Sequence, residues 1–155
     1  MKHHNVIAID GPAASGKSTV ARLVAEKFQA FYINTGEMYR AATWFLLNNT
    51  SDLSEVLADT RPYVSQMDIR YEVSQQGELT LVLNGDTLDR SQLRVPEITQ
   101  HVSAVSADPN IREHLVARQR DLARLGVVVL EGRDIGTVVF PDTPYKFFLT
   151  ASTEV

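Results

Sequence analysis

Apolar positions along the chain follow three different rhythms. Val6-Ile7-Ala8-Ile9 is a short unbroken apolar run, the mark of a buried strand, and the stretch from Ser18 to Phe28 that follows it has helical spacing. Ala30-Phe31-Tyr32-Ile33 reads as a second short strand. Met38, Ala41, Ala42, Phe45 and Leu46 then recur at i, i+3, i+4, i+7 and i+8, which predicts a helix capped by Asn34 or Thr35 and running to about Leu47. That stripe puts Tyr39 and Arg40 off the core face, free to meet a ligand. Asp52-Leu53-Ser54-Glu55 has the form of a capping box and opens a further helix with Leu53, Val56 and Leu57 inward, stopped within a few residues by Pro62.

From about Asp68 the period changes to two. Ile69, Tyr71 and Val73 alternate with polar residues, Gln75-Gln76-Gly77 can turn, and Leu79, Leu81 and Leu83 alternate again before the hairpin signal Asn84-Gly85. This predicts a small antiparallel meander, an insert at about 66–92 within an otherwise alternating α/β chain. Helical periodicity returns with Val95, Ile98, Val102 and Val105. Asp108 then caps a helix that has Pro109 at its first position, Ile111, Leu115, Leu122 and Leu125 inward, and Gly126 at its end. Val127-Val128-Val129-Leu130 is continuously apolar, as a central parallel strand must be, and Glu131 stands at its carboxyl end. Lys146 to Thr150 is the last strand. Strands alternating with helices predict a parallel sheet with helices on both faces.

Composition narrows the picture. At 155 residues and 44% hydrophobic content the chain can bury one core of ordinary size, which argues for one domain with at most a small insert. No apolar run approaches the roughly 20 residues of a membrane span, and the N-terminus has no signal-peptide pattern, so a cytoplasmic monomer is expected. Cysteine is absent, which excludes disulfides and thiol catalysis. The four histidines show no ligand spacing: His3 and His4 read as solvated, and His101 and His114 as surface residues. A net charge of −4 gives no reason to expect a nucleic-acid surface, although Arg112, Arg118, Arg120, Arg124 and Arg133 crowd the last third of the chain.

The chemistry is concentrated between the first strand and the first helix. Gly11-Pro12-Ala13-Ala14-Ser15-Gly16-Lys17-Ser18 matches G-x-x-x-x-G-K-[ST] at every fixed position, in the strand-loop-helix setting the motif requires. In such a loop the backbone N–H groups close around phosphate oxygens, Lys17 reaches the β- and γ-phosphates, and the Ser18 hydroxyl can ligate Mg²⁺. Residues 11–18, with Thr19 beside them, are therefore the candidate site for a nucleoside triphosphate. Glu131, an acidic residue ending a buried strand, stands where such folds hold Mg²⁺ or its waters.

Three classes compete for a nucleotide-binding chain of this kind: a small-molecule or nucleotide kinase, a GTPase switch, and a module that binds nucleotide without transferring phosphate. Neither N-K-x-D nor D-x-x-G occurs, which argues against a GTPase. A kinase needs cations for an acceptor phosphate, and Arg40, Arg112 and Arg133 are available.

Three stretches taken together, Ile9 to Ser18, Asn34-Thr35-Gly36-Glu37-Met38-Tyr39-Arg40, and Glu131-Gly132-Arg133-Asp134 through Pro141, closely resemble the bacterial cytidylate (CMP/dCMP) kinases. The resemblance spans nearly the whole chain and accounts for the meander, since these kinases carry a small β insert on the monophosphate side. It implies ATP-dependent phosphorylation of CMP and dCMP. It also implies that Arg40 and Arg133 hold the acceptor phosphate, with Lys17 completing the catalytic set. Tyr39 would pack near the sugar with Thr35 beside it, and Ser103, Arg112 and Asp134 would read the cytosine. Family members continue into an arginine-rich lid, and the lid and the ribose reader are expected beyond Val155.

Overall fold

The apolar runs become strands almost where the periodicity places them. In the computed structural model, which describes residues 2–151, the chain opens with β1 (Val6–Asp10), α1 (Lys17–Phe28), β2 (Phe31–Asn34) and α2 (Gly36–Asn49). Two short helices, α3 (Leu53–Ala58) and α4 (Arg61–Val64), lead to β3 (Ile69–Val73), β4 (Leu79–Leu83) and β5 (Asp86–Thr87). Then come α5 (Pro96–Ser106), α6 (Pro109–Asp121), β6 (Val128–Gly132) and β7 (Tyr145–Phe148). Residues 152–155, where the resemblance places the start of a lid, lie outside the described residues.

The chain divides into two compact units, one made of the residues up to Thr35 together with those from Gln119 onward, the other of Gly36–Arg118. In the first unit β2, β6, β1 and β7 form a parallel sheet in that order. Val128, Val129 and Leu130 are fully buried, each worth about 1.5–3 kcal/mol in transfer from water. Ile9 and Val129 meet Ala21 and Ala25 of α1, with Ile7, Val24 and Tyr32 packed around them. Because side chains alternate across a strand, residues in register with Ile9 face α1 and those in register with Asp10 face the opposite side. Glu131 is paired with Ile9 and so lies on the α1 side.

The second unit holds the antiparallel meander β3-β4-β5. Asn84 and Gly85 both take positive φ, 51° and 87°, as the tight turn between β4 and β5 demands. The caps predicted at Asp52 and Asp108 hold. The Asp52 carboxylate accepts from the N–H groups of Ser54 and Glu55 at 3.1 and 3.3 Å, and the Asp108 carboxylate from the N–H of Ile111 at 3.0 Å.

Several expectations need correction. Tyr39 is buried, because α2 packs against α5, β3 and α3 and so hides more of its circumference than a single stripe. Pro62 does not stop α3, which ends at Asp59 in an extended conformation; it sits in the first turn of α4, where its missing N–H costs nothing. Val95 and Val127 are exposed, since each precedes its element and does not belong to it. His3 is not simply solvated: its ring lies edge-on to Phe140 at 5.0 Å and its Nδ1 is 2.8 Å from the Asp142 carboxylate. His114 is tied down as well, through Nε2 to the carbonyl of Met67 at 2.6 Å.

Candidate functional site

The loop from Gly11 to Gly16 leaves β1 and enters α1 through three unusual backbone positions. Gly16 has φ 83° and provides no side-chain cap, so the first-turn N–H groups of α1 have no side chain of that residue to bind. A Cβ on Gly11 would collide with the carbonyl oxygen of Leu149 and approach Ser15 Oγ to 3.0 Å, which reserves the position for glycine. Ala14 holds φ 60°, an uncommon conformation for a residue with a Cβ and one that recurs where a binding loop stores strain. Lys17 Nζ donates to the carbonyl of Pro12 at 3.2 Å and so arches back over the loop. The Ser15 hydroxyl is buried with no hydrogen-bond partner among the described residues. An uncapped helix N-terminus, a lysine folded over the loop and an orphaned hydroxyl fit a polyphosphate, which would supply the missing acceptors.

Beside this loop stands a buried carboxylate. Glu131 is 2% exposed; its Oε1 accepts from Ser18 Oγ at 2.7 Å and its Oε2 from the Tyr32 hydroxyl at 2.5 Å. Burial, and then the bond to Glu131, hold the Tyr32 pKa well above that of a free tyrosine, although Arg22 sits 5.4 Å from the ring centroid. Among the described residues no cluster of three or more His, Asp or Glu side chains forms a cage for a metal. A single hydroxyl beside a single carboxylate suits Mg²⁺, which dehydrates reluctantly and fills its remaining positions with phosphate oxygens and water. Tyr32 was not foreseen as part of this group; its alternation with buried Ile33 on a short strand is the one signal that could have pointed to it.

After Glu131 the chain turns at Gly132, where a Cβ would come within 2.6 Å of Thr35 Oγ1. Thr35 is itself buried, its hydroxyl donating to the carbonyl of Glu131 at 2.8 Å, so this candidate acts in the structure as a clasp between β2 and β6. Arg133 is exposed. Asp134 precedes a wide turn over 135–139, its carbonyl accepting from Val138 N and Val139 N, while its side chain does not cap the turn. Thr19, Pro12 and Ala13 are exposed around the loop.

The remaining candidates lie in the second unit. Arg40 Nη1 donates to the carbonyl of Leu93 at 2.9 Å and to Thr99 Oγ1 at 3.0 Å. Arg112 Nη1 reaches the carbonyl of Ser106 at 3.5 Å, against the last turn of α5, and Ser103 is exposed one turn earlier on the same helix. Arg40, Ser103 and Arg112 thus all bear on α5. Tyr39 lies buried on α2. A cavity of about 580 Å³ opens elsewhere in this unit, beside Met67, Asn110 and His114, and none of the candidate residues lines it.

The cytidylate kinase family profile matches residues 7–155. Curated cytidylate kinases from Streptococcus pneumoniae strains Hungary19A-6 and ATCC 700669 are each 47% identical over 148 residues, an overlap covering 96% of this chain and 66% of the relative. The chain therefore spans about two thirds of the length of the curated relatives it matches.

Proposed function

Because the chain belongs to the cytidylate kinase family, we propose that it transfers the γ-phosphoryl group of ATP to CMP, and also to dCMP, giving the nucleoside diphosphate and ADP. The observation that carries the reading is the phosphate loop with the Ser18–Glu131 pair beside it, an anion cradle joined to a hard-oxygen metal position. Mg²⁺, when bound with ATP, neutralises charge on the phosphates.

Little covalent work falls to the protein in such a transfer. The acceptor is a phosphate oxygen already ionised near neutral pH, so no general base is required. Lys17 swings from the Pro12 carbonyl to the β- and γ-phosphates, and the loop N–H groups fix the donor. Arg133 and Arg40 neutralise the acceptor phosphate, each guanidinium offering two parallel donors. Ser103, Arg112 and Asp134 read the cytosine, and Tyr39 and Thr35 back the sugar side by shape, both being buried in their own units. The meander near 66–92 belongs to the acceptor side of this kinase core. The same reading takes the protein as a cytoplasmic monomer acting on small molecules, without a nucleic-acid or membrane partner; the net charge of −4 gives no reason to expect a nucleic-acid surface, and no helix among the described residues is long and apolar enough to cross a membrane.

The test is ADP release measured with CMP, dCMP, UMP, AMP and shikimate as acceptors. CMP and dCMP should stimulate release and the others far less. Release that ignores the acceptor would leave only nucleotide binding or hydrolysis.

A further inference from the structure

Strand β1 ends in a buried carboxylate to which the transfer chemistry assigns no role. Asp10 is 6% exposed and faces the side of the sheet opposite α1, in register with Gly132. Its Oδ1 accepts from the N–H of Ile135 and its Oδ2 from the N–H of Gly136, both at 2.8 Å. The next residue, Gly11, donates its own N–H to the carbonyl of Gly132 at 3.2 Å. Asp10 and Gly11 therefore grip a five-residue turn at both ends, and Arg133 and Asp134 lie between the two grip points.

The chemistry of the grip is specific. Two successive backbone N–H groups meet two carboxylate oxygens, each in a charge-assisted bond, which is how a carboxylate can be buried at tolerable cost. Arg133 and Asp134 are carried on the backbone between those two grip points, so the position of that backbone sets where their side chains can reach. The same Asp10 is bonded covalently to Gly11, the first residue of the phosphate loop.

We infer that Asp10 is a positioning residue for the acceptor nucleotide, holding the 132–136 turn so that Arg133 and Asp134 keep their aim and tying that turn to the start of the phosphate loop. The inference rests on the proposed reading, in which Arg133 and Asp134 bind CMP. It concerns geometry and not charge at the reacting atoms, so its signature is selective loss on the acceptor side.

The test compares the parent chain with Asp10→Asn, nearly the same shape, in which an amide N–H₂ must oppose one of the two backbone donors. Calorimetry with CMP and separately with ATP and Mg²⁺ gives both affinities. Loss of one charge-assisted bond should weaken CMP by about 10-fold or more and ATP by less than about 3-fold. In the parent, hydrogen exchange at the Ile135 and Gly136 amides should slow when CMP is added and change little with ATP, a readout that does not depend on the variant folding. If Asp10→Asn lowers Tm yet binds CMP as the parent does, or if CMP leaves those two amides unchanged, Asp10 only stabilises the fold. A parent that fails to bind CMP overturns the proposed function as well, whereas a parent that binds CMP with an indifferent variant overturns this inference alone.

Discussion

The hydroxyl of Ser18 donates to Oε1 of Glu131 across 2.7 Å, joining the first turn of α1 to the carboxyl end of β6. On the proposed reading this pair would hold the divalent cation that accompanies the nucleotide, and that reading makes a definite prediction. Glu131→Gln keeps an acceptor for Ser18 but removes the charge that attracts the ion. The transfer rate at fixed Mg²⁺ should fall by about 10- to 100-fold, and half-saturation should move to higher Mg²⁺. A rate profile against Mg²⁺ superimposable on the parent's would detach Glu131 from the metal.

Lys17 Nζ donates to the carbonyl of Pro12 and the residue is half-buried at the first position of α1, so truncating it should spare the fold. Lys17→Ala should keep the parent's Tm within a few degrees and lose at least about 100-fold in kcat, because a charge-assisted contact that strengthens in the transition state is worth about 2–4 kcal/mol. Retention of more than about a third of parental activity, on that same scale, would contradict the assigned role.

Tyr32 gives a pH prediction. Its folded-state pKa is raised, by burial first and then by Glu131, so the folded chain keeps the phenolic proton while the unfolded chain releases it above about pH 10. The stability contributed is present below that pH and is lost as pH rises beyond it. Urea midpoints measured from pH 8 to 11 should fall more steeply for the parent than for Tyr32→Phe. Parallel slopes would place Tyr32 outside the buried group.

Asp134 carries the base selectivity in this account. Cytosine offers an amino donor at position 4 where uracil offers an acceptor, so a carboxylate there favours the first and repels the second by about 1–3 kcal/mol. Asp134→Asn, able to turn its N–H₂ toward an acceptor, should narrow the CMP-to-UMP ratio of kcat/KM chiefly through loss on CMP. An equal loss on both nucleotides would mean that Asp134 braces the chain.

How far the sequence reaches can be judged from particular residues. The phosphate loop is legible because its work is done by backbone, and glycine at 11 and 16 is what that backbone demands. The meander is legible because Asn84-Gly85 encodes its own turn. Tyr39 misleads because one helical stripe shows one buried face, whereas α2 is enclosed by several neighbours that only the tertiary structure assembles. Asp10 and Tyr32 were missed for a related reason. Their partners lie 125 and 99 residues away in the chain, and a pairing at that distance leaves no local pattern.

The central claim is that the phosphoryl group passes from ATP to a cytidine monophosphate and not to water. Phosphorus NMR of the chain incubated to completion with ATP, Mg²⁺ and CMP tests this most directly, since the end point does not depend on how fast turnover is. The account predicts that CDP and ADP appear in equal amounts, with no matching rise in inorganic phosphate. ADP accompanied by inorganic phosphate and no CDP, or no change in ATP at all, would contradict it.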